Sequence, residues 1–383
     1  MAKSKVAVVR CESYQEDEVY LALKRGIDLL GGIESFVRSG EKVLLKPNVL
    51  DGETPERCIS THPSVFRAVG KLLQRTGAEL RYGDSPGFGK PASQLRKAGL
   101  SEVAADLGIP LVEFEKGREV VFSESPFTKR FFIARGVLES DCIISLAKMK
   151  THQLTRFTGA VKNQFGCIPG MLKPEFHVKM QNAYDFSKML VALTLFLKPR
   201  VYVMDGVMAM DGNGPRSGDP VRMGVLLLSS DPVALDATAC RMIDLNPEYV
   251  PTSKPGKDWG LGVFAPEEIE LLGDPLESFL NTSFKVQRKP PLPVSNNRGM
   301  LSFVKNIFSA RPVIQKNNCV RCGVCVKVCP VHPKALGFSD GREAPPRYIY
   351  RNCIRCFCCQ ELCPERAIFV KTPVLGRLVF GGK

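Results

Sequence analysis

Apolar and polar positions along the first 284 residues follow two periods, and these periods predict the secondary structure. Short runs rich in Val, Ile and Leu predict strands at 6–9, 43–46, 79–82, 111–114, 142–146, 201–204 and 225–228. Apolar residues three or four positions apart predict amphipathic helices at 17–30, 63–76, 93–107, 183–197 and 231–243. Strands that alternate with helices in this way predict an α/β domain with a largely parallel sheet flanked by helices.

Two prolines support the predicted helix starts. Pro63 follows a Thr-His pair, and Pro232 follows Asp231. Proline is favoured in the first turn of a helix, and aspartate is favoured just before it. We therefore interpret Asp231 as a helix cap.

Composition changes after residue 284, where we predict a linker over 285–315. Its prolines are Pro290, Pro291, Pro293 and Pro312. No acidic residue occurs from Ser278 to Ser339, so the linker is basic. It also holds a short amphipathic segment, whose apolar residues are Leu301, Phe303, Val304, Ile307 and Phe308. We predict that this segment packs on its own domain, with peripheral membrane contact or partner docking as the alternatives.

The fourteen cysteines are distributed in a way that indicates metal ligation rather than disulfides. Nine of them fall between Cys319 and Cys363, and eight of these nine form two copies of the pattern CxxCxxCxxxCP. This is the spacing of bacterial ferredoxins that hold two [4Fe-4S] clusters. A zinc ribbon would leave half of the eight patterned cysteines unused. We therefore predict a small α+β ferredoxin-like domain over 316–383 with two [4Fe-4S] clusters.

In such modules the fourth cysteine of each copy binds the cluster of the other copy. The ligands that we predict for the first cluster are Cys319, Cys322, Cys325 and Cys363. Those for the second cluster are Cys353, Cys356, Cys359 and Cys329. Cys358 lies outside this register, and we interpret it as a buried filler, with a redox-active thiol near the cluster as the alternative.

The net charge of +14 is confined to the C-terminal part of the chain. Residues 285–383 hold 18 Lys and Arg against 4 Asp and Glu, whereas residues 1–284 hold 35 of each sign. This basic region predicts docking on an acidic redox protein, such as a flavoprotein or a ferredoxin, through contacts that salt weakens. Nucleic-acid binding is not predicted, because the first domain has no basic excess and no nucleic-acid motif occurs.

The N-terminus lacks the apolar core and cleavage site of a signal peptide. No apolar stretch approaches the roughly 18 residues of a membrane-spanning helix. We therefore expect a cytoplasmic protein.

Several segments of the first domain combine polar residue types that are common in ligand sites. They are LKPN at 45–48, GDSPGFG at 83–89, KMKTH at 148–152, TGAVKN at 158–163, DG at 205–206, DGNGP at 211–215 and DPVALD at 231–236. In these segments the sequence resembles the family catalogued as domain of unknown function 362, which is often fused to such a ferredoxin module. The resemblance covers residues 5–280, and it implies a fold for the domain at 1–284 without implying a particular reaction.

Many of these polar residues follow predicted strands, and α/β sheets bind ligands at that rim. We predict a site for an anionic small molecule, such as a phosphate or carboxylate, formed by Lys46, Asn48, Asp84, Ser85, Lys148, Lys150, Lys162 and Asn163. Glycine-rich loops at 83–89 and 212–218 would let backbone amides approach the anion. Neither GxGxxG nor GxxxxGK[ST] accompanies these loops, which argues against a dinucleotide or P-loop site.

His152 is the predicted acid or base of this site. It is one of four histidines, and it lies between lysines that favour its neutral form. Its predicted partner is Asp205 or Asp236.

Together these features predict an iron-sulfur electron-transfer protein. The leading hypothesis is an oxidoreductase that passes low-potential electrons between the two clusters and an anionic substrate or cofactor in the α/β domain. The alternative is a non-catalytic, dedicated ferredoxin or delivery protein that docks on an acidic redox partner enzyme.

Overall fold

The structure is a computed structural model that describes residues 3–180, 182–292, 308–339 and 341–376. Its strands are β1 (Ser4–Arg10), β2 (Lys42–Lys46), β3 (Glu79–Tyr82), β4 (Gly117–Val121), β5 (Arg130–Ala134), β6 (Cys142–His152), β7 (Arg156–Thr158), β8 (Val201–Asp211), β9 (Asp219–Ser229), β10 (Ile269–Gly273), β11 (Arg311–Ile314), β12 (Leu336–Gly337), β13 (Arg347–Tyr348) and β14 (Ile368–Lys371). Its α-helices are α1 (Glu16–Leu29), α2 (Pro63–Gln74), α3 (Pro91–Lys97), α4 (Leu100–Asp106), α5 (Arg135–Leu138), α6 (Ala160–Asn163), α7 (Lys173–Lys179), α8 (Ala183–Leu197), α9 (Pro232–Met242), α10 (Ser253–Asp258), α11 (Val324–Lys327) and α12 (Cys358–Glu361).

One eight-stranded sheet organises the first domain, with strand order β10-β1-β9-β8-β6-β2-β3 and β7 paired to β6. Parallel pairs join β1 to β10, β2 to β3 and β6, and β6 to β8. Only β9 and β7 run antiparallel to their neighbours in this sheet. The predicted α/β class with a largely parallel sheet is therefore confirmed.

The two faces of the sheet carry separate cores, as the period of two in a strand requires. On β1, Ala7 and Val9 pack on the side of α1 and α2, whereas Val6 and Val8 face the side of α9. On β2, Leu44 points to the core that contains α8, opposite to its neighbours in the strand. Apolar runs such as 6–9 are buried on both faces, and this is why they read as continuous rather than alternating.

Most predicted strands are confirmed, with two kinds of difference. The segment 111–114 forms a single bridge between Leu111 and Tyr82 instead of a strand, and the chain then turns into the β4-β5 hairpin. Strands β6 and β8 extend six or seven residues beyond the predicted ends. Their extensions carry Lys, His and Asp side chains that are buried, which an apolar pattern does not reveal.

The predicted helices are confirmed except at 93–107, which is two helices. Gly99 separates α3 from α4 with a φ of 73°, a left-handed conformation that glycine adopts without strain. The Asp231 carboxylate accepts hydrogen bonds of 2.9 Å from the amides of Val233 and Ala234, so its interpretation as the cap of α9 is confirmed.

The C-terminal module consists of two small antiparallel sheets, β11-β14 and β12-β13, and two single-turn helices. Of the predicted amphipathic segment, residues 301–307 lie outside the described residues. The first part of the predicted linker runs along the α/β domain, where Tyr184 donates to the carbonyl of Pro291 at 2.9 Å. The module also packs against the α/β domain through α12, and that contact forms the candidate site.

Candidate functional site

Strand β6 carries Lys148, Lys150 and His152 at alternate positions, and all three side chains are buried. Alternate residues of a strand point to the same face. The sequence KMKTH therefore delivers three basic side chains to one buried layer beyond the predicted end of the strand. A buried ammonium group is costly unless oxygen atoms surround it, so each of these residues requires partners from other elements.

Lys148 is neutralised by Asp205 of the neighbouring strand β8. Its Nζ lies 2.8 Å from the Asp205 carboxylate, and both side chains are fully buried. The Tyr14 hydroxyl lies 2.8 Å from both groups, and the amide of His62 donates to the same carboxylate at 3.0 Å. Asp205 is therefore held within a closed hydrogen-bonded network.

Lys46, at the end of β2, is neutralised in the same way by Asp84. Their atoms are 2.8 Å apart and buried, and Lys46 also donates to the Asn163 side chain at 3.1 Å. Gly166 passes directly above this pair, since a Cβ at that position would lie 1.9 Å from the Asp84 carboxylate. Only glycine allows the backbone to approach the pair so closely.

Lys150 is held by neutral oxygens alone. Its Nζ donates to the Asn48 side chain at 2.7 Å and to the carbonyl of Ile59 at 2.6 Å. Burial, reinforced by Lys162 and Lys148, lowers the pKa of Lys150 to about 7. This ammonium can therefore release a proton near neutral pH.

A fifth lysine, Lys173 of α7, closes the layer from the side of residues 83–89. It donates to the backbone carbonyls of Ser85 and Pro86. Burial lowers the pKa of Lys173 to about 7, against the attraction of Asp84. Ser85 thus contributes its carbonyl to the layer, although the sequence suggested a role in anion binding.

His152 meets a carboxylate of the C-terminal module. The amides of Leu154 and Thr155 donate to its Nδ1 at 3.0 and 3.3 Å, so the ring proton lies on Nε2. That Nε2 is 3.1 Å from Oε1 of Glu361 in α12. Burial lowers the pKa of His152 to about 4, so the imidazole is neutral at pH 7.

Lys162 and His177 act on the same carboxylate electrostatically, and we call His152, Lys162 and His177 the cationic seat. Burial would raise the pKa of Glu361, but His152, Lys162 and His177 together lower it to about 2. His177 is itself buried and stacks on Phe186, with ring centroids 4.6 Å apart. Glu361 is therefore an ionised carboxylate buried against the α/β domain.

Neither predicted partner of His152 contacts it. Asp205 is engaged by Lys148, and Asp236 accepts hydrogen bonds from the amides of Ala160 and Val161 at the start of α6. Burial raises the pKa of Asp236 to about 7. The structure thus places Asp236 as the cap of the helix that carries Lys162, and Glu361 in the position expected of Asp205 or Asp236.

The DGNGP segment holds the module in place. Gln360 donates to the carbonyls of Asn213 and Gly214 at 2.8 and 3.3 Å. Arg216, which is buried, donates to the carbonyls of Cys363 and Pro364 at 2.8 and 3.0 Å and forms ion pairs with Asp51 and Glu53. These residues bind the module, so the 212–218 loop contacts protein where the sequence suggested a small anion.

The 83–89 loop also faces the module. A Cβ on Gly87 would lie 3.0 Å from the side chain of Leu362, and Lys327 lies over the Phe88 ring at 5.2 Å. Both glycine-rich loops therefore frame α12, and the buried lysine layer lies beneath it.

We expect Arg216→Ala to loosen the module without unfolding the α/β domain. The change removes two hydrogen bonds from a charged donor, each worth about 1.5–3 kcal/mol. Hydrogen exchange of amides 358–364 should accelerate at least about tenfold. Arg130→Ala, at a side chain that is 70% exposed, is the matched control and should leave this exchange unchanged. Unaltered protection of 358–364 in Arg216→Ala would contradict the role of Arg216.

Two small cavities in the module are lined by the two predicted ligand sets. One is lined by Cys319, Cys322, Cys325 and Cys363, which we call the first cysteine set. The other is lined by Cys329, Cys353, Cys356 and Cys359, which we call the second cysteine set. In the part of the chain that the structure describes, no three His, Cys, Asp or Glu side chains converge closely enough for a single metal ion. Four thiols around each cavity fit the donor set of a [4Fe-4S] cluster.

Hydrogen-bond donors lie beside the second cysteine set. The Tyr348 hydroxyl donates to the sulfur of Cys359 at 3.3 Å. The Cys358 thiol is buried and hydrogen-bonds the sulfur of Cys356, which lowers the pKa of Cys356. Donors to cluster sulfurs tune a reduction potential, so Cys358 has a defined contact beyond filling space.

The fold and the site define the chain as an iron-sulfur protein in which a dicluster module is docked on an α/β domain. The profile of the 4Fe-4S dicluster domain matches residues 311–364. The profile of the domain of unknown function DUF362 matches residues 43–241. The chain belongs to the DUF362 family, and the resemblance seen in its sequence is confirmed.

The chain is also similar in sequence to a protein described as thylakoid-associated. The chain is 36% identical over 278 residues to the thylakoid-associated protein sll1697 of Synechocystis sp., covering 72% of this chain and 86% of that protein. Among the described residues, no helix is long and apolar enough to cross a bilayer.

Similarity to solved structures is weak. The lactate racemase apoprotein of Thermoanaerobacterium thermosaccharolyticum aligns with a TM-score of 0.42 and 13% identity, over 63% of this chain and 57% of that one. A protein from Thermotoga maritima aligns with a TM-score of 0.39 and 12% identity, over 61% of this chain and 59% of its own.

Several residues of the site were not predicted from the sequence. Glu361 lies outside the segments that suggested a ligand site, and Tyr14, Lys173 and His177 occur in ordinary surroundings. Arg216 lies within the 212–218 loop, but only the backbone amides of that loop were assigned a role. One signal was available for Glu361, because only four acidic residues occur among the last 99. An acid placed between two cysteines of a basic module is unusual enough to mark a contact.

Proposed function

We propose that the protein is an iron-sulfur oxidoreductase in which the two cysteine sets hold two [4Fe-4S] clusters and an anionic substrate or cofactor binds at the lysine layer beneath α12. The contact between His152 and Glu361 supports this proposal most strongly. It joins the predicted acid or base of the α/β domain to a residue that lies two positions from Cys359 and two from Cys363.

The distance between cysteines and site is short. Consecutive Cα atoms are about 3.8 Å apart, so the Cα atoms of Cys359 and Glu361 lie within roughly 7.6 Å. The Glu361 side chain then reaches to 3.1 Å from His152. When bound, the clusters supply electrons one at a time at low potential. Docking of α12 thus brings both cysteine sets next to the basic layer.

The basic layer is suited to an anion that gains electrons. Lys150 and Lys173 have pKa values of about 7, so either can give a proton to a reduced substrate. Lys162, which belongs to the cationic seat, remains partly exposed. These residues offer positive charge and protons where low-potential electrons would arrive.

A second candidate function is a delivery protein that gives electrons to an acidic redox partner. It is favoured by the exposure of Cys322 in the first cysteine set and of the neighbouring Val320, which is 58% exposed. The positive charge of residues 285–383 would attract an acidic partner to this edge. In this case the α/β domain recognises a protein rather than a small molecule.

The test is anaerobic reoxidation of the dithionite-reduced, cluster-loaded chain by a panel of carboxylates, phosphates and flavin nucleotides. We expect at least one anionic compound to reoxidise the protein. Lys162→Ala should slow that reaction about tenfold or more, because an ion pair to a charged ligand is worth about 1.5–3 kcal/mol. Lys254→Ala, whose side chain is 80% exposed, should react like the wild type.

Two outcomes would reject the oxidoreductase. One is a reduced protein that no compound in the panel reoxidises. The other is reoxidation by a protein partner alone, with a strong salt dependence and no effect of Lys162→Ala. The second outcome would establish the delivery protein.

A further inference from the structure

We propose that the cationic seat is a carboxylate-binding site, that Glu361 is its internal ligand in this conformation, and that a substrate carboxylate takes its place when the module withdraws. This inference rests on the proposed function, and it narrows the anionic ligand to a carboxylate. In this proposal the docked module covers the site, and a substrate carboxylate that displaces Glu361 releases the module.

The first argument is that the other buried lysines already have oxygen partners. Lys46 is satisfied by Asp84 and Asn163, and Lys148 by Asp205 and Tyr14. Lys150 and Lys173 are satisfied by carbonyl oxygens and an amide. Each of these ammonium groups therefore already has oxygen partners from its own domain.

Lys162 differs from these four lysines. Among the described residues, its ammonium forms no hydrogen bond and no ion pair, and the charge of Glu361 raises the pKa of Lys162 against the effect of burial. His152 Nε2 lies 3.1 Å from the Glu361 carboxylate, and both His152 and His177 are buried. A lysine in a partly closed site without an oxygen partner of its own domain marks the place where an external anion fits.

The second argument is the chemistry of the group that is seated there. Glu361 presents a flat carboxylate with two oxygens, held 3.1 Å from His152. It belongs to a single-turn helix that the DGNGP segment grips through Gln360. The cationic seat thus takes its carboxylate from outside the α/β domain, and in this conformation that carboxylate is Glu361 of the module.

The experiment is chemical rescue of Glu361→Ala in the full, cluster-loaded chain. The atoms that this substitution removes are close to those of an acetate ion, so acetate can refill the seat. We expect Glu361→Ala to melt at a lower temperature than the wild type. Acetate at about one hundred times its dissociation constant should raise that melting temperature by about 5 °C, with saturation.

The controls distinguish acetate binding at the cationic seat from a general effect of salt on stability. Wild type and Glu365→Ala, an exposed acid in the same module, should show no saturable response to acetate. The double variant Lys162→Ala/Glu361→Ala should lose the response. Equal stabilisation of Glu361→Ala by sodium chloride or phosphate, or no response to acetate, would overturn the carboxylate site.

Lys162→Met gives a second test that holds even if Glu361→Ala does not fold. Glu361 would lose the cation that faces it, so hydrogen exchange of amides 358–361 should accelerate about tenfold. Unchanged exchange would overturn the proposal. Failed rescue with intact reoxidation by an anion rejects only the carboxylate site, and successful rescue without reoxidation rejects only the oxidoreductase.

Discussion

Replacing Cys319 and Cys363 together with alanine will remove one cluster and leave the other in place. Both residues line the same cavity, although 44 positions separate them in the sequence. In this arrangement the double variant removes two ligands from the first cysteine set and none from the second cysteine set. Iron and sulfide should fall to about half of the wild-type content, and the reduced protein should show the electron paramagnetic resonance signal of a single, isolated cluster.

The matched variant removes the same number of thiols from two cavities. Cys319→Ala/Cys329→Ala affects the first and the second cysteine set at once. We expect it to lose nearly all iron. If each cluster were instead bound by one continuous CxxCxxCxxxC run, the results of the two double variants would be exchanged, and that exchange would reject the crossed arrangement.

Cys358→Ala serves as the control for cysteine loss as such. Its thiol lines neither cavity, although it adjoins Cys356. The iron content should therefore equal that of the wild type. A potential that shifts with unchanged iron would show that its hydrogen bond tunes the cluster.

The sequence was sufficient for the α/β class and for the 4Fe-4S dicluster domain, for a physical reason. Strands such as β1 and helices such as α8 are specified by local periodicity, and the cysteine spacing is fixed by the geometry of a cluster. Each of these signals lies within a short stretch of chain. Nothing beyond that stretch has to be known in order to read it.

The ends of β6 and the identity of the partner of His152 could not be read in this way. Lys148, Lys150 and His152 look like solvent-facing residues, and they are buried only because oxygens from distant elements reach them. The contact between His152 and Glu361 joins residues 209 positions apart across two domains. Such contacts form when the two domains dock, and they produce no periodic pattern in the amino-acid sequence.

This distinction also explains why the family segments appeared to describe one anion site. LKPN, KMKTH and TGAVKN contribute Lys46, Lys150 and Asn163 to a shared buried layer, whereas DGNGP grips the module. A single sequence does not separate residues that meet a ligand from residues that meet a second domain. The structure separates them by the element that each one contacts.

Lys148→Met is expected to be the most destabilising single substitution in the α/β domain. It would leave the Asp205 carboxylate fully buried with only the Tyr14 hydroxyl and the His62 amide as donors. Removing one partner of a buried ion pair costs about 3–5 kcal/mol, because the remaining charge cannot reach water. The melting temperature should fall by at least about 6 °C, measured by circular dichroism on the cluster-loaded protein.

The double variant Lys148→Met/Asp205→Asn distinguishes a stranded charge from lost packing. The asparagine keeps one oxygen for the amide of His62, and its NH2 group can donate to the Tyr14 hydroxyl. No unpaired charge remains, so the double variant should be more stable than Lys148→Met alone. The two substitutions should be coupled by about 1–3 kcal/mol in a double-mutant cycle. The exposed pair Lys24–Asp28, with atoms 2.5 Å apart, is the matched control, and Lys24→Ala should cost no more than about 1 kcal/mol. If the changes in the free energy of unfolding at Lys148 and Asp205 were additive, the pair would stabilise this layer through packing rather than through charge.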